Sequence, residues 1–327
     1  MVRHTTNGSV HAGVRAEGLG KQFGELWAVR ELDLDVHPGT ILGLLGHNGA
    51  GKTTAIRMLT TLSGPTTGRA SVAGHDVVAQ PSEVRRAIGV AAQQATVDGL
   101  LEGRLNLELI GRLHGLSKRD ARRRAAELLE QFGLADAGDR LVKNYSGGMR
   151  RRLDLAASLV ASPAVLFLDE PTTGLDPLAR DALWQTLRDL VRDGTTLILT
   201  TQYLEEADRL ADDIVVLDHG RTVAQGTPAA LKARIGGDRV EVTVPLPDEL
   251  PAAASAVERF GSAEPAHDVE RLTVTVPVEP GTRLVDVVRA LDEAGVDVTD
   301  VHRREATLDD VFISLTTTRE HRERRAA

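Results

Sequence analysis

Cysteine is absent from the 327 residues of this chain. The protein therefore forms no disulfide, and it has no thiolate for binding zinc or for nucleophilic catalysis. Aromatic residues are scarce as well, with five Phe, two Trp and two Tyr. So few rings argue against a platform on which the bases of a single strand would stack.

Basic charge is not in excess. The 39 lysine and arginine residues are outnumbered by 47 aspartate and glutamate residues, for a formal net charge of −8 at pH 7. Such a chain has no overall electrostatic attraction for nucleic acid or for an anionic membrane. We therefore expect no nucleic-acid partner.

Long apolar runs are missing too. The longest uncharged stretch near the middle of the chain, residues 155–168, is too short to cross a bilayer and includes Pro163. Residues 1–13 are polar and lack an apolar core, so they are predicted to be a disordered lead-in and not a secretion signal. These features predict a protein that stays in the cytoplasm.

The chain does contain short apolar runs that alternate with helix-length segments. At roughly 150 residues per domain, the length predicts about two domains. Apolar runs at residues 40–45, 165–168, 196–200 and 214–217 are typical of buried strands. Their alternation with helices predicts an α/β fold with a mostly parallel sheet covered on both faces.

A helical subdomain is predicted at about residues 94–145. Leucines recur there every four positions, at Leu105, Leu109 and Leu113. Ser117 with Asp120 three positions later predicts the start of a second helix through a capping box.

Two adjacent glycines predict a domain boundary at Gly236. The first domain then spans residues 14–236. Residues 237–316 are predicted to form a small α/β domain, and residues 317–327 a charged tail.

A glycine-rich turn follows the first buried run and precedes a helical pattern. It matches the phosphate-loop pattern G-x-x-x-x-G-K-[S/T], and the predicted nucleotide-binding residues are Gly46, His47, Asn48, Gly49, Ala50, Gly51, Lys52, Thr53 and Thr54. The glycines allow successive N–H groups to face a polyphosphate at the positive end of the helix dipole. Lys52 is predicted to bridge the β- and γ-phosphates, and Thr53 to bind Mg²⁺. The alternative is a plain glycine turn with an exposed lysine.

Two adjacent carboxylates end the apolar run at residues 165–168. In a phosphate-loop protein such a strand brings an acidic residue to the metal. Asp169 is therefore predicted to lie on the Mg²⁺ side, and Glu170 to orient or deprotonate the attacking water. Paired acids at a strand end are also common turn formers, so this prediction depends on the phosphate loop in the same chain.

A second candidate anion site precedes another helical pattern. Ser146, Gly147 and Gly148 offer a hydroxyl and N–H groups at a helix start. One nucleotide does not need two such sites from one chain. We therefore expect a head-to-tail dimer in which this Ser146–Gly148 segment contacts ATP held by the second copy. The alternative is an N-capped helix without a chemical role.

The order of these motifs resembles that of the nucleotide-binding subunits of ABC transporters. The phosphate loop, Y-S-G-G-M as a variant of the family's L-S-G-G-Q, L-F-L-D-E-P and T-G-L-D follow one another in family order. The resemblance implies a phosphate-loop NTPase of the ABC type that uses ATP and Mg²⁺. It also implies a separate membrane permease, with this subunit peripheral at the cytoplasmic face and the contact surface after Gln93 and in the helices of residues 100–134.

Four further site residues are carried over from this resemblance. Phe23 matches the aromatic residue that stacks on adenine, and Asp176 matches the loop that crosses the dimer interface. Gln93 matches the glutamine that contacts Mg²⁺, with the adjacent Gln94 as the alternative. Gln202 stands where the family usually has a histidine at the γ-phosphate, and glutamine can donate a hydrogen bond there but cannot become cationic. We expect hydrolysis to survive this replacement because the predicted general base is present.

The C-terminal region carries a narrower resemblance. Residues 226–228 and 306–315 resemble drug-exporting ABC ATPases of the daunorubicin/doxorubicin-resistance group. This implies an ATPase that energises export of a hydrophobic drug or lipid-like substrate. The alternatives are an importer subunit, a soluble ABC-type ATPase acting on ribosomes or chromosomes, and a resistance protein that sequesters a drug. A single phosphate loop and the lack of extended heptads argue against the soluble class, and the C-terminal resemblance argues against an importer.

Overall fold

The structure is a computed structural model that describes residues 13–91, 96–234, 237–279 and 281–312. The chain divides into two compact units, of which the first ends at Gly226 and the second begins at Thr227. The predicted lead-in other than Gly13, the predicted boundary at Gly236 and the charged tail lie outside the described residues.

Strands and helices alternate along the first unit. Its strands are β1 (Val14–Phe23), β2 (Leu26–Val36), β3 (Ile41–Leu45), β4 (Thr67–Val72), β5 (His75–Asp76), β6 (Ile88–Ala91), β7 (Val165–Asp169), β8 (Thr196–Thr201), β9 (Asp213–Asp218) and β10 (Arg221–Gly226). Its helices are α1 (Lys52–Leu59), α2 (Pro81–Ala87), α3 (Gly103–Leu113), α4 (Lys118–Gln131), α5 (Gly147–Ser158), α6 (Pro177–Arg192) and α7 (Leu204–Leu210).

The central sheet has six strands in the order β10-β9-β3-β8-β7-β6. Its strands pair in parallel, except that β10 is antiparallel to β9. Every residue of β3, β7 and β8 is buried, which explains why the sequence shows continuous apolar runs there instead of alternation. The predicted parallel sheet is confirmed, and the carboxyl ends of these three strands lie at one edge of it.

The two faces of this sheet are covered differently. Leu166 and Leu168 of β7 pack in a core with residues of α4, α5 and α6, whereas Val165 and Phe167 pack in a second core. That second core is completed by α1 and by a separate antiparallel sheet in the order β2-β1-β4-β5. Helices therefore cover one face as predicted, but the other face is covered largely by strands.

The predicted helical region contains α3 and α4. The capping prediction is confirmed, since the side chain of Ser117 accepts a hydrogen bond from the Asp120 backbone N–H. Helix α3 buries Leu107 and Gly111 on one side. Its regularly spaced leucines, Leu105, Leu109 and Leu113, are exposed.

The second unit contains α8 (Pro228–Arg234), β11 (Arg239–Thr243), α9 (Leu250–Glu258), β12 (Ala266–Asp268), β13 (Thr273–Pro277), α10 (Leu284–Glu293) and β14 (Asp300–Arg304). Its strands form an antiparallel sheet in the order β12-β13-β11-β14. Valines of β11 and β13 pack with α9 and α10 in a core of their own. Across the described parts of both units, no helix combines the length and apolar character needed to span a bilayer.

Candidate functional site

The phosphate loop lies between β3 and α1, as predicted. Gly49 and Gly51 have φ values of 84° and 107°, in the left-handed region that glycine adopts without strain. A Cβ atom at Gly46 would lie 2.4 Å from the Leu217 carbonyl oxygen, and one at Gly51 would lie 2.4 Å from that of Ala28. The loop is thus wedged between β9 and β2, and at these positions glycine is needed for close approach of the backbone.

An open cleft with a volume of about 450 Å³ lies over this loop. We call it the phosphate cleft, and it is lined by residues 48–54 together with Ala28, Glu170, Thr173 and Gln202. Most of the predicted loop residues therefore line one cavity. Gly46 and His47 lie beside it and not in its lining.

Lys52 supplies the positive charge of the phosphate cleft. Its side chain is only 5% exposed and lies 3.5 Å from the Glu170 carboxylate, measured from Nζ to Oε1. The ammonium donates hydrogen bonds to the backbone carbonyls of Gly46 (2.7 Å) and His47 (3.1 Å). The loop carbonyls thus hold the ammonium inside the turn and not in solvent, which excludes the alternative of an exposed lysine on a plain glycine turn.

Thr53 and Asp169 lie together where a cation site was predicted. The Thr53 hydroxyl donates to Asp169 Oδ2 over 3.0 Å, and the Thr200 hydroxyl donates to Asp169 Oδ1 over 2.5 Å. Asp169 is buried at the end of β7. A hydroxyl beside a carboxylate provides the oxygen ligands that Mg²⁺ prefers in proteins, so the donor set fits this ion.

Glu170 enters the phosphate cleft from a strained backbone. Its φ is 50°, in the left-handed region that a non-glycine residue seldom adopts. The Glu170 N–H donates to the backbone carbonyl (3.2 Å) and to the hydroxyl oxygen (3.1 Å) of Thr200. Gln202 follows β8 and lines the same cleft. The carboxylate and the amide thus share one cavity with Lys52.

The remaining predicted residues lie apart from this cleft. Ser146 caps α5 by accepting from the Met149 N–H over 3.2 Å, and Asp176 caps α6 by accepting from the Ala179 N–H over 2.9 Å. Both are exposed, as is Gly147. Within one chain these capping residues do not join the phosphate cleft.

The structure describes the position of Phe23 but not that of the predicted glutamine ligand. The Phe23 ring is 55% exposed at the end of β1 and does not line the phosphate cleft. The Lys21 ammonium lies 5.2 Å from the centre of that ring. Gln93 and its alternative, Gln94, lie outside the described residues.

Arg151 is a residue that the sequence analysis missed. Its guanidinium donates to the backbone carbonyls of Pro171 (2.9 Å), Asp169 (3.3 Å) and Glu170 (3.2 Å). Burial lowers the pKa of Arg151, against the opposing effect of the Asp154 carboxylate. Since Arg151 lies on α5, it connects the helix that begins at the Ser146–Gly148 segment to the backbone that carries Glu170.

Glu206 is a second residue that sequence reasoning missed. It is fully buried on α7, shortly after Gln202, and accepts a hydrogen bond from Trp184 Nε1 over 3.1 Å. Burial raises the pKa of this carboxyl, and hydrogen bonds from neighbouring side chains lower it in part. The sequence hardly indicates this burial, because Glu205 and Glu206 are adjacent glutamates and only Glu206 is buried.

The chain matches two protein-family models. Residues 29–173 match the ABC transporter model, and residues 226–316 match the C-terminal domain of DrrA1-3-like ATP-binding proteins. Over 304 residues the chain is 56% identical to the daunorubicin resistance ATP-binding protein DrrA2 of Streptomyces coeruleorubidus, covering 93% of this chain and 94% of that protein. Over 312 residues it is 47% identical to the doxorubicin resistance ATP-binding protein DrrA of Mycobacterium tuberculosis, covering 93% of each.

Solved structures of ATP-binding cassettes share the fold. An ATP-binding subunit of an ABC transporter matches with a TM-score of 0.62 and 28% identity, over 68% of this chain and 92% of that one. A dimeric ATP-binding cassette in a post-hydrolysis state, bound to ADP and Pi, matches with a TM-score of 0.60 and 25% identity, over 65% of this chain and 98% of that one. The chain therefore belongs to the ATP-binding proteins of ABC transporters, in the daunorubicin/doxorubicin-resistance group, and is an ATPase of that family.

Proposed function

We propose that this chain hydrolyses ATP to energise export of a hydrophobic drug or lipid-like substrate through a separate membrane permease. The observation that carries the proposal is the convergence, at one edge of the central sheet, of Lys52, Thr53, Asp169 and Glu170. A cation, oxygen ligands for a metal and a carboxylate base are the parts that transfer of a phosphoryl group to water requires. The names of the daunorubicin and doxorubicin resistance relatives support a drug as the cargo.

The loop and its lysine bind the phosphates in this proposal. Lys52 exchanges its contact with Glu170, 3.5 Å away, for the β- and γ-phosphates of ATP. The N–H groups of Gly49 and Gly51 face the same anion at the start of α1. Thr53 and Asp169 would hold Mg²⁺, which would neutralise charge on the phosphate oxygens.

Hydrolysis depends on Glu170 and Gln202, which directly follow β7 and β8. Once Lys52 is engaged by phosphate, the carboxylate of Glu170 is free to orient a water molecule and accept its proton. Gln202, which lines the phosphate cleft, donates a hydrogen bond to the γ-phosphate. Because an amide carries no charge, its contribution is smaller than that of a protonated histidine.

A head-to-tail dimer would explain why the helix-capping residues Ser146 and Asp176 are exposed in the single chain. The Ser146–Gly148 segment and Asp176 lie at helix N-termini, outside the phosphate cleft of their own chain. The first N–H groups of a helix have no partner within the helix, so those of Gly147 and Gly148 at the start of α5 are suited to an anion. In the proposed dimer they contact ATP bound to the second copy, and ATP binding closes the two copies.

The permease docks on α3 in this proposal. Leu105, Leu109 and Leu113 lie on one face of that helix and are 45%, 47% and 78% exposed. A stripe of exposed leucines is typical of a surface that another protein covers. The chain then works as a peripheral subunit at the cytoplasmic face of the membrane.

The residue roles are tested by ATP hydrolysis with the purified full-length protein. Glu170→Gln is expected to lower the turnover rate by about 10²–10⁴-fold, the usual contribution of a general base, while ATP still binds. Gln202→Ala is expected to lower it less. Glu205→Gln, at an exposed glutamate near Gln202, is the matched control and should hydrolyse normally. The assignment is wrong if Glu170→Gln hydrolyses ATP as the unmodified protein does while Gln202→Ala is inactive.

The transport role needs a separate measurement. A polytopic membrane protein should co-purify with the chain from detergent-solubilised membranes. Inverted vesicles that contain both proteins should accumulate a fluorescent anthracycline when ATP is added, and vesicles with the Glu170→Gln variant should not. ATPase activity that never responds to a membrane partner would instead support a soluble ATPase.

A further inference from the structure

Three metal-ligating side chains lie together beside the phosphate loop. His47 belongs to the loop, Asp218 ends β9, and His219 follows in the turn before β10. One ligating atom from each lies within 4.8 Å of the other two. None of the three lines the phosphate cleft. This His-Asp-His cluster also shares no residue with the Thr53–Asp169 pair.

The ring of His47 contacts two acceptors at once. Its Nδ1 lies 2.6 Å from the Asn48 carbonyl oxygen, and its Nε2 lies 3.0 Å from Asp218 Oδ1. A neutral imidazole has one N–H and can donate to only one of them. A cation bound by both Nε2 and Asp218 Oδ1 would satisfy this second contact without a second N–H. A ring that donates through one nitrogen to a backbone carbonyl and binds metal through the other is the usual arrangement of histidine ligands.

The spacing of the ligating atoms fits a tetrahedral ion. Asp218 Oδ1 lies 3.0 Å from His47 Nε2 and 3.7 Å from His219 Nε2. Ligands at about 2.0–2.2 Å from a tetrahedral Zn²⁺ are roughly 3.4 Å apart, between these two distances. The two imidazole rings are edge-on, with their centres 5.2 Å apart. The ligating nitrogens of the two histidines lie within 4.8 Å of each other. Rotation of these partly exposed side chains would let both nitrogens bind one ion.

The three side chains of the cluster differ in solvent exposure, as expected for a metal site with one coordination position open to water. The Asp218 side chain is 12% exposed, whereas those of His47 and His219 are 40% and 71% exposed. The carboxylate is therefore fixed by its surroundings while the solvent side stays accessible. Three protein ligands with a water as the fourth are the pattern of accessible zinc sites.

We propose that His47, Asp218 and His219 form a binding site for Zn²⁺ or a similar borderline divalent cation, separate from the Mg²⁺ site of the nucleotide. Two imidazoles and one carboxylate favour such an ion, whereas Mg²⁺ prefers ligand sets made of oxygen. The ion links the phosphate loop to the β9–β10 turn. These segments already touch, since the Gly220 N–H donates to the Ala50 carbonyl over 3.0 Å. Occupancy therefore stabilises the loop in its wedged position.

The test is a calorimetric titration of Zn²⁺ alone into the full-length protein, stripped of metal and free of nucleotide. We expect one equivalent to bind. His219→Asn and Asp218→Asn should each weaken this binding by about 100-fold or more, since even loss of an outer partner costs about 10–100-fold. Asparagine tolerates the left-handed backbone at position 219, where φ is 46°. His114→Asn, which removes an exposed histidine at the end of α3, is the matched control and should bind Zn²⁺ normally.

X-ray absorption at the zinc edge provides a second readout on the unmodified protein. The one-equivalent complex should show a shell of only nitrogen and oxygen atoms at about 2.0 Å, with scattering from two imidazoles. Millimolar Mg²⁺ should not displace the ion. The proposal is overturned if binding does not saturate. It is equally overturned if both variants bind Zn²⁺ as tightly as the unmodified protein, or if the spectrum contains no imidazole scattering.

Discussion

Glu206 shows how a single buried group makes stability depend on pH. Burial raises its pKa above the ordinary value of a glutamate. The folded protein therefore binds this proton more tightly than the unfolded chain does. The resulting stabilisation is fully present below the ordinary pKa and is lost as the pH rises through the raised pKa.

Replacing Glu206 by glutamine removes this titration. The amide oxygen can still accept from Trp184 Nε1, and no charge has to be buried at neutral pH. We expect the melting temperature of Glu206→Gln to exceed that of the unmodified protein by roughly 2–4 °C at neutral pH, the shift that about 1 kcal/mol causes in a domain of this size. The difference should shrink as the pH falls towards 4. Thermal unfolding across this pH range measures the difference in melting temperature, with Glu205→Gln, at an exposed glutamate, as the control. A difference that stays constant with pH would contradict a raised pKa for Glu206.

The relative positions of individual side chains can be predicted where a motif also fixes the backbone. The motif predicts that Lys52, Thr53 and Asp169 lie near one another, because a strand, a glycine turn and a helix fix the course of the backbone, and in the structure they do lie near one another. Arg151 was missed because it is the middle one of three consecutive arginines, residues 150–152, and the sequence does not specify which of them faces the core. The hydroxyl of Thr200 on Asp169 depends on the pairing of β7 with β8, which no local pattern predicts.

Helix α3 shows that a local sequence pattern can predict an element without predicting how that element packs. The four-residue spacing of its leucines predicted the helix correctly, but not which face is buried. Leu107 and Gly111 face the core, while the spaced leucines face outwards. The antiparallel sheet β2-β1-β4-β5 was not predicted either, because β1 pairs with distant β4 through an irregular register.

The outward leucines of α3 lead to a prediction about the permease. Burying one leucine contributes about 1.5–3 kcal/mol, so the Leu105→Gln/Leu109→Gln double variant should weaken the complex by at least about 100-fold. Co-purification with the membrane partner should be lost, while ATP binding should persist. Leu62→Gln, at another exposed leucine of the same unit that lies outside α3, is the control. Co-purification that withstands the double variant would remove α3 from the docking surface.

Among the described residues, the two compact units share no apolar core: two cores belong to the first unit and one to the second. The second unit builds its core from the valines of β11 and β13 with residues of α9 and α10. Every described residue of the phosphate cleft belongs to the first unit. The order of the sequence motifs was sufficient to predict the parallel sheet of that first unit, but not its separate antiparallel sheet. The antiparallel pairing within the second unit was not predicted, because its sequence carries no comparable motif.

A chain that ends at Gly226 should therefore fold and bind ATP by itself. Its core and all the cleft residues are retained, so we expect a cooperative thermal transition and an ATP affinity close to that of the full-length protein. Calorimetry with ATP and a thermal scan test this. The full-length Lys52→Ala variant serves as the control for lost nucleotide binding. A shortened chain that aggregates or fails to bind ATP would mean that the second unit is part of the folding unit of the first.

The left-handed backbone of Glu170 has a consequence for how this protein evolves. A non-glycine residue in such a conformation costs about 1–3 kcal/mol. Glycine or asparagine at this position would relieve the strain and remove the carboxylate at the same time. Selection for thermal tolerance and selection for ATP turnover thus act in opposite directions on one codon. A library screened only for heat resistance should accumulate inactive sequences at position 170, whereas a lineage that keeps the glutamate is one in which turnover has outweighed stability.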